Sequence, residues 1–194
     1  MSLFFLVLRM TNAGQSQNKP LYDRAAAYLY SLLSMILGIM ACVFALFTFF
    51  FRLVSVSGDS MNPNVFDGQK IIVSDVAYTP DYGDIVAIGR STPTENSIIK
   101  RVIGLPGDVI DINFDTHIVV VNNSVVTETY KTLGAITQRG DVAFPLTVPE
   151  DCIFVLGDNR NNSLDSRFSS VGFIRLDEIT GKALFRLFPP VPLY

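Results

Sequence analysis

The chain has 194 residues, a net charge of −3 and a mean hydropathy of +0.36, and once one long apolar segment is set apart it holds enough for one modest domain. It has no basic run and no interleaving of basic and aromatic residues, which excludes the usual signature of nucleic-acid binding. Cys42 lies inside the apolar run, Cys152 lies far downstream, and His117 is the only histidine, so neither a disulfide nor a metal or other cofactor is expected.

Residues 1–24 read as a short N-terminal segment. Ser2–Leu8 is apolar but too brief to cross a bilayer, Thr11–Lys19 is polar linker, and Met1 and Met10 are both candidate initiators. Residues 25–51 carry no charge between Arg24 and Arg52. At ~1.5 Å per residue this run is long enough for a hydrocarbon core of ~30 Å. A cleaved secretory signal needs a shorter apolar core and a small-x-small site; Phe47–Phe51 follows instead, so an uncleaved anchor is expected. Arg9, Lys19 and Arg24 precede the span and Arg52 alone closely follows it. The excess of bases before it predicts a cytoplasmic N-terminus, with residues 52–194 as an extracytoplasmic domain.

Beyond the anchor the pattern is all-β. Val54–Pro63, VSVSGDSMNP, alternates Val54, Val56, Gly58 and Ser60 against Ser55, Ser57 and Asp59, then turns at Asn62-Pro63. Lys70–Ser74, Asp84–Ile88, Ser97–Ile103 and Val109–Ile112 are short β-branched runs, the last two separated by a turn at Leu105–Asp108. Ile118–Val121 and Val125–Glu128 flank Asn122-Asn123, a two-residue hairpin signal because Asn tolerates positive φ. Thr129–Ala143 reads as loop, Cys152–Leu156 and Lys182–Leu187 as the last strands, Asp177–Gly181 as one helical turn, and Pro189-Pro190 as the end of the structure.

A serine at a strand-to-turn corner, such as Ser60, is ordinarily turn chemistry. A lysine among β-branched residues, such as Lys100, is ordinarily an edge residue with its ammonium in water. Alternation puts Lys100 on one face with Ile98 and Val102, and Arg101 on the other. If the lysine's face is buried, desolvation favours the neutral amine, which can then take a serine proton without any histidine. Gly157–Arg167, GDNRNNSLDSR, is rich in turn residues but also carries Ser163 and two sets of opposite charges.

Together SGDSMNP, the GDIV of Gly83–Val86, the KRVIGLPGD of Lys100–Asp108, GDNRNNSLDSR and the terminal GKALFRLFPP resemble bacterial type I signal peptidase. The resemblance, which includes the N-terminal anchor, covers nearly the whole chain. It implies a mainly β fold with a small β insertion, here about 113–150, preceded by one transmembrane helix. It implies Ser60 as nucleophile, Lys100 as general base, Ser163 as the hydroxyl orienting the lysine and Asp165 as support for that loop. It further implies Arg101–Asp158 and Asp165–Arg167 ion pairs. Gly58 stands where some members have a serine that donates to the oxyanion, which leaves more of that work to the Ser60 backbone N–H.

The function so implied is removal of signal peptides from secretory preproteins, without cofactor or metal. The substrate would add as an extended strand beside Val54–Gly58, and Val54, Val56, Met61 and Ile99 would line shallow pockets for small residues at −1 and −3. Membrane lipid and the secretion translocon are the other implied partners, and nucleic acid is not one. Two alternatives compete. A self-cleaving transcriptional regulator also uses a Ser–Lys pair but needs a DNA-binding segment where this chain has a span. A noncatalytic assembly factor for surface proteins could dispense with Ser60 and Lys100, yet both are present.

Overall fold

The structure is a computed structural model that describes residues 21–89 and 98–193. Residues 1–20, with Met1, Met10, Arg9 and Lys19, lie outside the described residues, as does Ser97, the expected start of the fourth strand. The described chain divides into two compact units, with the boundary between Thr48 and Phe49.

Helix α1 runs Leu21–Phe50, starting four residues before the expected span and ending one residue short of it. It takes in Asp23 in its first turn, and an 18-residue stretch within residues 22–50 has a mean hydropathy of 2.5. Large apolar side chains are exposed all round it, among them Leu37, Phe44 and Phe49. A helix apolar on every face suits lipid rather than water. Its hydroxyls bond back to the preceding turn, Ser34 Oγ to Ser31 O at 2.9 Å and Thr48 Oγ1 to Ala45 O at 2.9 Å, so they enter an apolar medium already partnered.

The second unit is mostly β, as expected. Its larger sheet is built from β1 (Arg52–Ser55), β2 (Lys70–Ser74), β3 (Ile85–Ile88), β4 (Ile98–Gly104), β9 (Cys152–Leu156), β10 (Ile174–Arg175), β11 (Ile179–Leu187) and β12 (Pro190–Pro192). The order is β1-β2-β11-β3-β4-β9-β10, with β12 also paired to β11. A smaller sheet, ordered β7-β6-β5-β8, contains β5 (Val109–Asn113), β6 (Ile118–Val121), β7 (Ser124–Val125) and β8 (Leu146–Thr147). It spans Val109–Thr147, overlapping the 113–150 expected for an insertion.

Asn122 and Asn123 both adopt positive φ, 49° and 64°, between β6 and β7, the conformation that a tight hairpin turn needs. The strand expected at Val125–Glu128 stops at Val125. Three elements escaped the pattern because they are two or three residues long: β8, β10 and β12. Pro189-Pro190 does not end the structure, since Pro190–Pro192 folds back onto β11 with Phe185 opposite Pro192. The expected helical turn is a 3₁₀ turn, Leu176–Glu178, and β11 starts immediately after it.

Strand β4 is the centre of the larger sheet's chemistry. It lies between β3 and β9, with Val86 opposite Lys100 and Leu156 opposite Arg101. Its alternate residues enter separate apolar clusters. Val102 and Ile98 pack with Val86, Ile88, Val155 and Ile174. Ile99 packs with Val56, Met61, Ile71 and Ile85. Both faces of β4 are therefore covered, and its two cations are carried indoors.

Candidate active site

Lys100 is 4% exposed, on the β4 face shared with Ile98 and Val102. Its Nζ donates to Ser60 Oγ at 2.7 Å and to Ile99 O at 3.1 Å. Burial disfavours the ammonium and pulls its pKa down. The negative charges of Asp165 and Asp158 push back, Arg167 adds a smaller downward push, and the result is about 8.

Ser60 reaches the lysine from an edge strand that has already ended. Strand β1 stops at Ser55, and one further ladder step joins Val56 N–H to Gln69 O at 2.8 Å. Gly58 then takes φ +86°, a left-handed conformation that breaks the expected two-residue alternation. Asp67 Oδ1 accepts the Gly58 N–H at 2.7 Å and holds the break in place. Ser57, expected on the opposite side from Ser60, consequently lines the same cleft. A turn follows, with Asn62 N–H donating to Asp59 O at 3.1 Å and Val65 N–H to Met61 O at 3.0 Å.

The Gly157–Arg167 loop is pinned from both sides. Arg101 meets Asp158 through two bonds of 2.7 Å, from Nε to Oδ1 and from Nη2 to Oδ2. Arg167 meets Asp165 likewise, through two bonds of 2.8 Å. All four residues are buried, and such two-pronged geometry is what lets opposite charges persist without water. The remaining guanidinium donors are also used: Arg101 bonds Gly83 O at 2.6 Å, while Arg167 bonds Gln138 O at 2.8 Å and Arg160 O at 2.6 Å. The Tyr130 ring covers Arg101, with its centroid 3.8 Å from the guanidinium carbon.

This loop grips the serine segment by its backbone. Asn159 N–H donates to Ser60 O at 3.0 Å, and Asn159 Nδ2 donates to Asp59 O at 3.1 Å. Gly157 is required for the approach, because a Cβ there would lie 2.6 Å from Ser60 O and run into the Ser163 side chain. Asp165 Oδ2 also accepts the Gly157 N–H at 3.0 Å. Asn159 and Asp67 were not singled out in the sequence. The positions of Asn159 beside Asp158 and of Asp67 in an Asp-Gly turn were the only signals, and both are common in loops.

The remaining expected site residues lie as follows. Ser163 is buried, but its hydroxyl makes no hydrogen bond to Lys100 and has no partner in the structure. It packs over Gly157, while the lysine amine is held by Ser60 and Ile99. Val54, Val56, Met61 and Ile99 do assemble, but as core: Val56, Met61 and Ile99 are 5%, 1% and 4% exposed, with Val54 packed against their cluster. The cleft of about 480 Å³ that contains Ser60 and Lys100 is walled by Ser57, Gly58, Ile98, Leu164 and Val171, among others. The break at Gly58 brings Ser57 to the wall of that cleft.

No group of three or more metal-ligating side chains occurs among the described residues. What the arrangement offers is a hydroxyl hydrogen-bonded to an amine whose affinity for protons has been lowered by burial. Chemically, such a pair can act as nucleophile and base.

The chain is similar to curated signal peptidases. Signal peptidase I P of Bacillus subtilis subsp. natto is 35% identical over 164 residues, covering 79% of this chain and 86% of that protein. Signal peptidase I of Bacillus licheniformis is 37% identical over 163 residues, covering 78% and 85%. A crystal structure of a signal peptidase I from Enterococcus faecalis V583 is 30% identical, with a TM-score of 0.43, covering 54% of this chain and 97% of that one. The sequence profile of the family described as "Signal peptidase, peptidase S26" matches residues 29–188, from within α1 through the Ser60 segment, Lys100 and the Gly157–Arg167 loop to the end of β11. The chain belongs to the signal peptidase family, peptidase S26.

Proposed function

We propose that the protein is a membrane-anchored serine endopeptidase that cleaves signal peptides from secretory preproteins, after small residues at −1 and −3. The observation that carries this reading is the 2.7 Å hydrogen bond from a buried Lys100 Nζ to Ser60 Oγ. In the reaction, neutral Lys100 accepts the Ser60 proton as Oγ attacks the scissile carbonyl. The tetrahedral oxyanion takes a hydrogen bond from the Ser60 N–H. Lys100 then passes its proton to the leaving amine, and water, deprotonated by the same lysine, releases the acyl group.

Gly58 leaves no side-chain donor for the oxyanion, and its own N–H is engaged by Asp67, so the Ser60 N–H carries more of the stabilisation. Helix α1 would hold the enzyme in the membrane, with residues 1–24 in the cytoplasm and the β unit outside, where lipid and the secretion translocon are its neighbours.

The test is cleavage of a reporter preprotein by the purified full-length protein. Product with a new N-terminus after the small-x-small site is expected, and Ser60→Ala should abolish it. A Ser60→Ala enzyme that processes the reporter at the wild-type rate would remove serine from the mechanism. A noncatalytic assembly factor would yield no product from either protein. The topology is tested separately by adding protease to intact cell-wall-free cells, which should digest the region after Arg52 and spare residues 1–24.

A further inference from the structure

We infer that Leu164, with Ile98 and Val171, forms an apolar subsite for the side chain of the first residue of the mature protein, immediately after the scissile bond. This rests on the serine–lysine reading above and assigns a wall of that site which the reading leaves unused.

Leu164 sits between Ser163 and Asp165, which are 5% and 0% exposed, yet it is itself 57% exposed. A lone exposed leucine on a mobile surface loop would mean little. This one is presented by backbone fixed on both sides. Asp165 is clamped by Arg167 through two bonds of 2.8 Å, and Asn162 N–H donates to Asn159 O at 3.0 Å just upstream. The side chain borders the cleft of Ser60 and Lys100 together with Ile98 and Val171. Three aliphatic side chains thus converge from β4, from the clamped loop and from the segment before β10.

The chemistry of the proton says which part of the substrate lies there. Lys100 must deliver the proton from Ser60 to the nitrogen that leaves, so its Nζ stands on the leaving-group side of Oγ. Ile98 shares the Lys100 face of β4, whereas Ile99 turns to the opposite face and packs with Val56 and Met61. The acyl side of the substrate therefore lies away from the lysine, toward the Val54–Gly58 segment. The amine side runs over Ile98, Leu164 and Val171.

A small apolar wall of this kind discriminates modestly, since one contact in a hydrophobic pocket alters selectivity by about 10–200-fold. The experiment uses the purified full-length enzyme and preproteins identical except for Leu, Ala or Asp at the first mature residue, with kcat/KM as the readout. The wild type should favour Leu over Asp by about tenfold. Leu164→Ala should flatten that ratio, Leu164→Lys should reverse it in favour of Asp, and Leu164→Met should keep it. A ratio unchanged within twofold in Leu164→Ala and Leu164→Lys overturns the subsite. So does a wild type that treats the three substrates alike. If the Leu164 variants instead change tolerance at −1, the residue lies on the acyl side and the assignment is wrong. Ser60→Ala run on the same panel separates the two readings. A dead Ser60→Ala with no Leu164 effect removes only the subsite, while an active Ser60→Ala removes the mechanism beneath it.

Discussion

Lys100 and Ser60 come to their hydrogen bond from opposite kinds of backbone. Lys100 stands in β4, covered on both faces, bonded in regular register to β3 and, with a shift only after Val102, to β9. Ser60 stands beyond the end of β1, which is paired on one side only, after a glycine at φ +86°. Lys100 is thus set by the sheet, and its lowered proton affinity comes from the burial that a central strand provides. Ser60 is set by a turn, and the turn is held by neighbours that reach it from elsewhere, Asp67 and Asn159. Changes on the lysine side should therefore act through chemistry, and changes on the serine side through geometry.

The largest expected effect lies on the lysine side. Lys100→Arg retains the charge but replaces an amine that can be neutral with a guanidinium that stays protonated. Single-turnover cleavage should fall by about 10²–10⁴-fold or more, the usual contribution of a general base. A variant processing its substrate at near the wild-type rate would break the comparison outright. Next comes the brace behind both partners. Asp158→Ala leaves the Arg101 guanidinium buried without its partner and should destabilise the fold by about 3–5 kcal/mol in denaturant titration. If the midpoint and slope stay unchanged, the loop is not what holds the serine turn.

The serine side is sharpened by Gly58→Ser. Nothing lies within 4 Å of a Cβ built there, so there is room, but the left-handed backbone strains any L side chain. A cost of roughly 1–2 kcal/mol is expected, seen as lower turnover, even though the change adds a hydroxyl that could serve the oxyanion. Turnover above that of the wild type would mean the turn relaxes without loss. The pH profile then returns to the lysine. The group must be neutral to act, and its pKa is lowered by burial to about 8. Activity should climb as pH rises through about 8, by close to tenfold per unit well below it. A flat profile from pH 6 to 9 would place the base elsewhere. The smallest effect is expected for Ser57→Ala, a few-fold at most. Ser57 lines the cleft, but Asp67, not Ser57, holds the backbone there. A hundred-fold loss would show that its hydroxyl serves the oxyanion, since losing such a donor costs about 10²–10³.

The same contrast explains which features could be read from residues alone. Alternation separated Lys100 from Arg101 correctly because β4 is regular and enclosed, and the Asn122-Asn123 hairpin was legible because its turn chemistry is local. Alternation failed from Gly58 onward because the edge strand ends early, and nothing in VSVSGDSMNP marks where its pairing to β2 stops. The Gly157–Arg167 loop looked solvated by composition, yet its charges are among the most deeply buried groups. Pairing of Asp158 with Arg101 of β4, and of Asp165 with Arg167 inside the loop, makes that tolerable, and composition carries no record of either. Strands β8, β10 and β12 are too short for any period to register.

The bonds from Arg167 to Gln138 O and from Asn161 to the 135–138 backbone reach into the excursion that carries the small sheet. Leu133 N–H likewise donates to Asp158 O at 2.9 Å. For an engineer seeking a minimal enzyme, this means the excursion cannot be trimmed away as an appendage. Cutting from Val109 to Thr147 and closing the gap would leave a buried guanidinium short of an acceptor and would uncover the Arg101 face that Tyr130 shields. A shortened protease of this family would have to be redesigned at the loop before anything could be removed from the sheet.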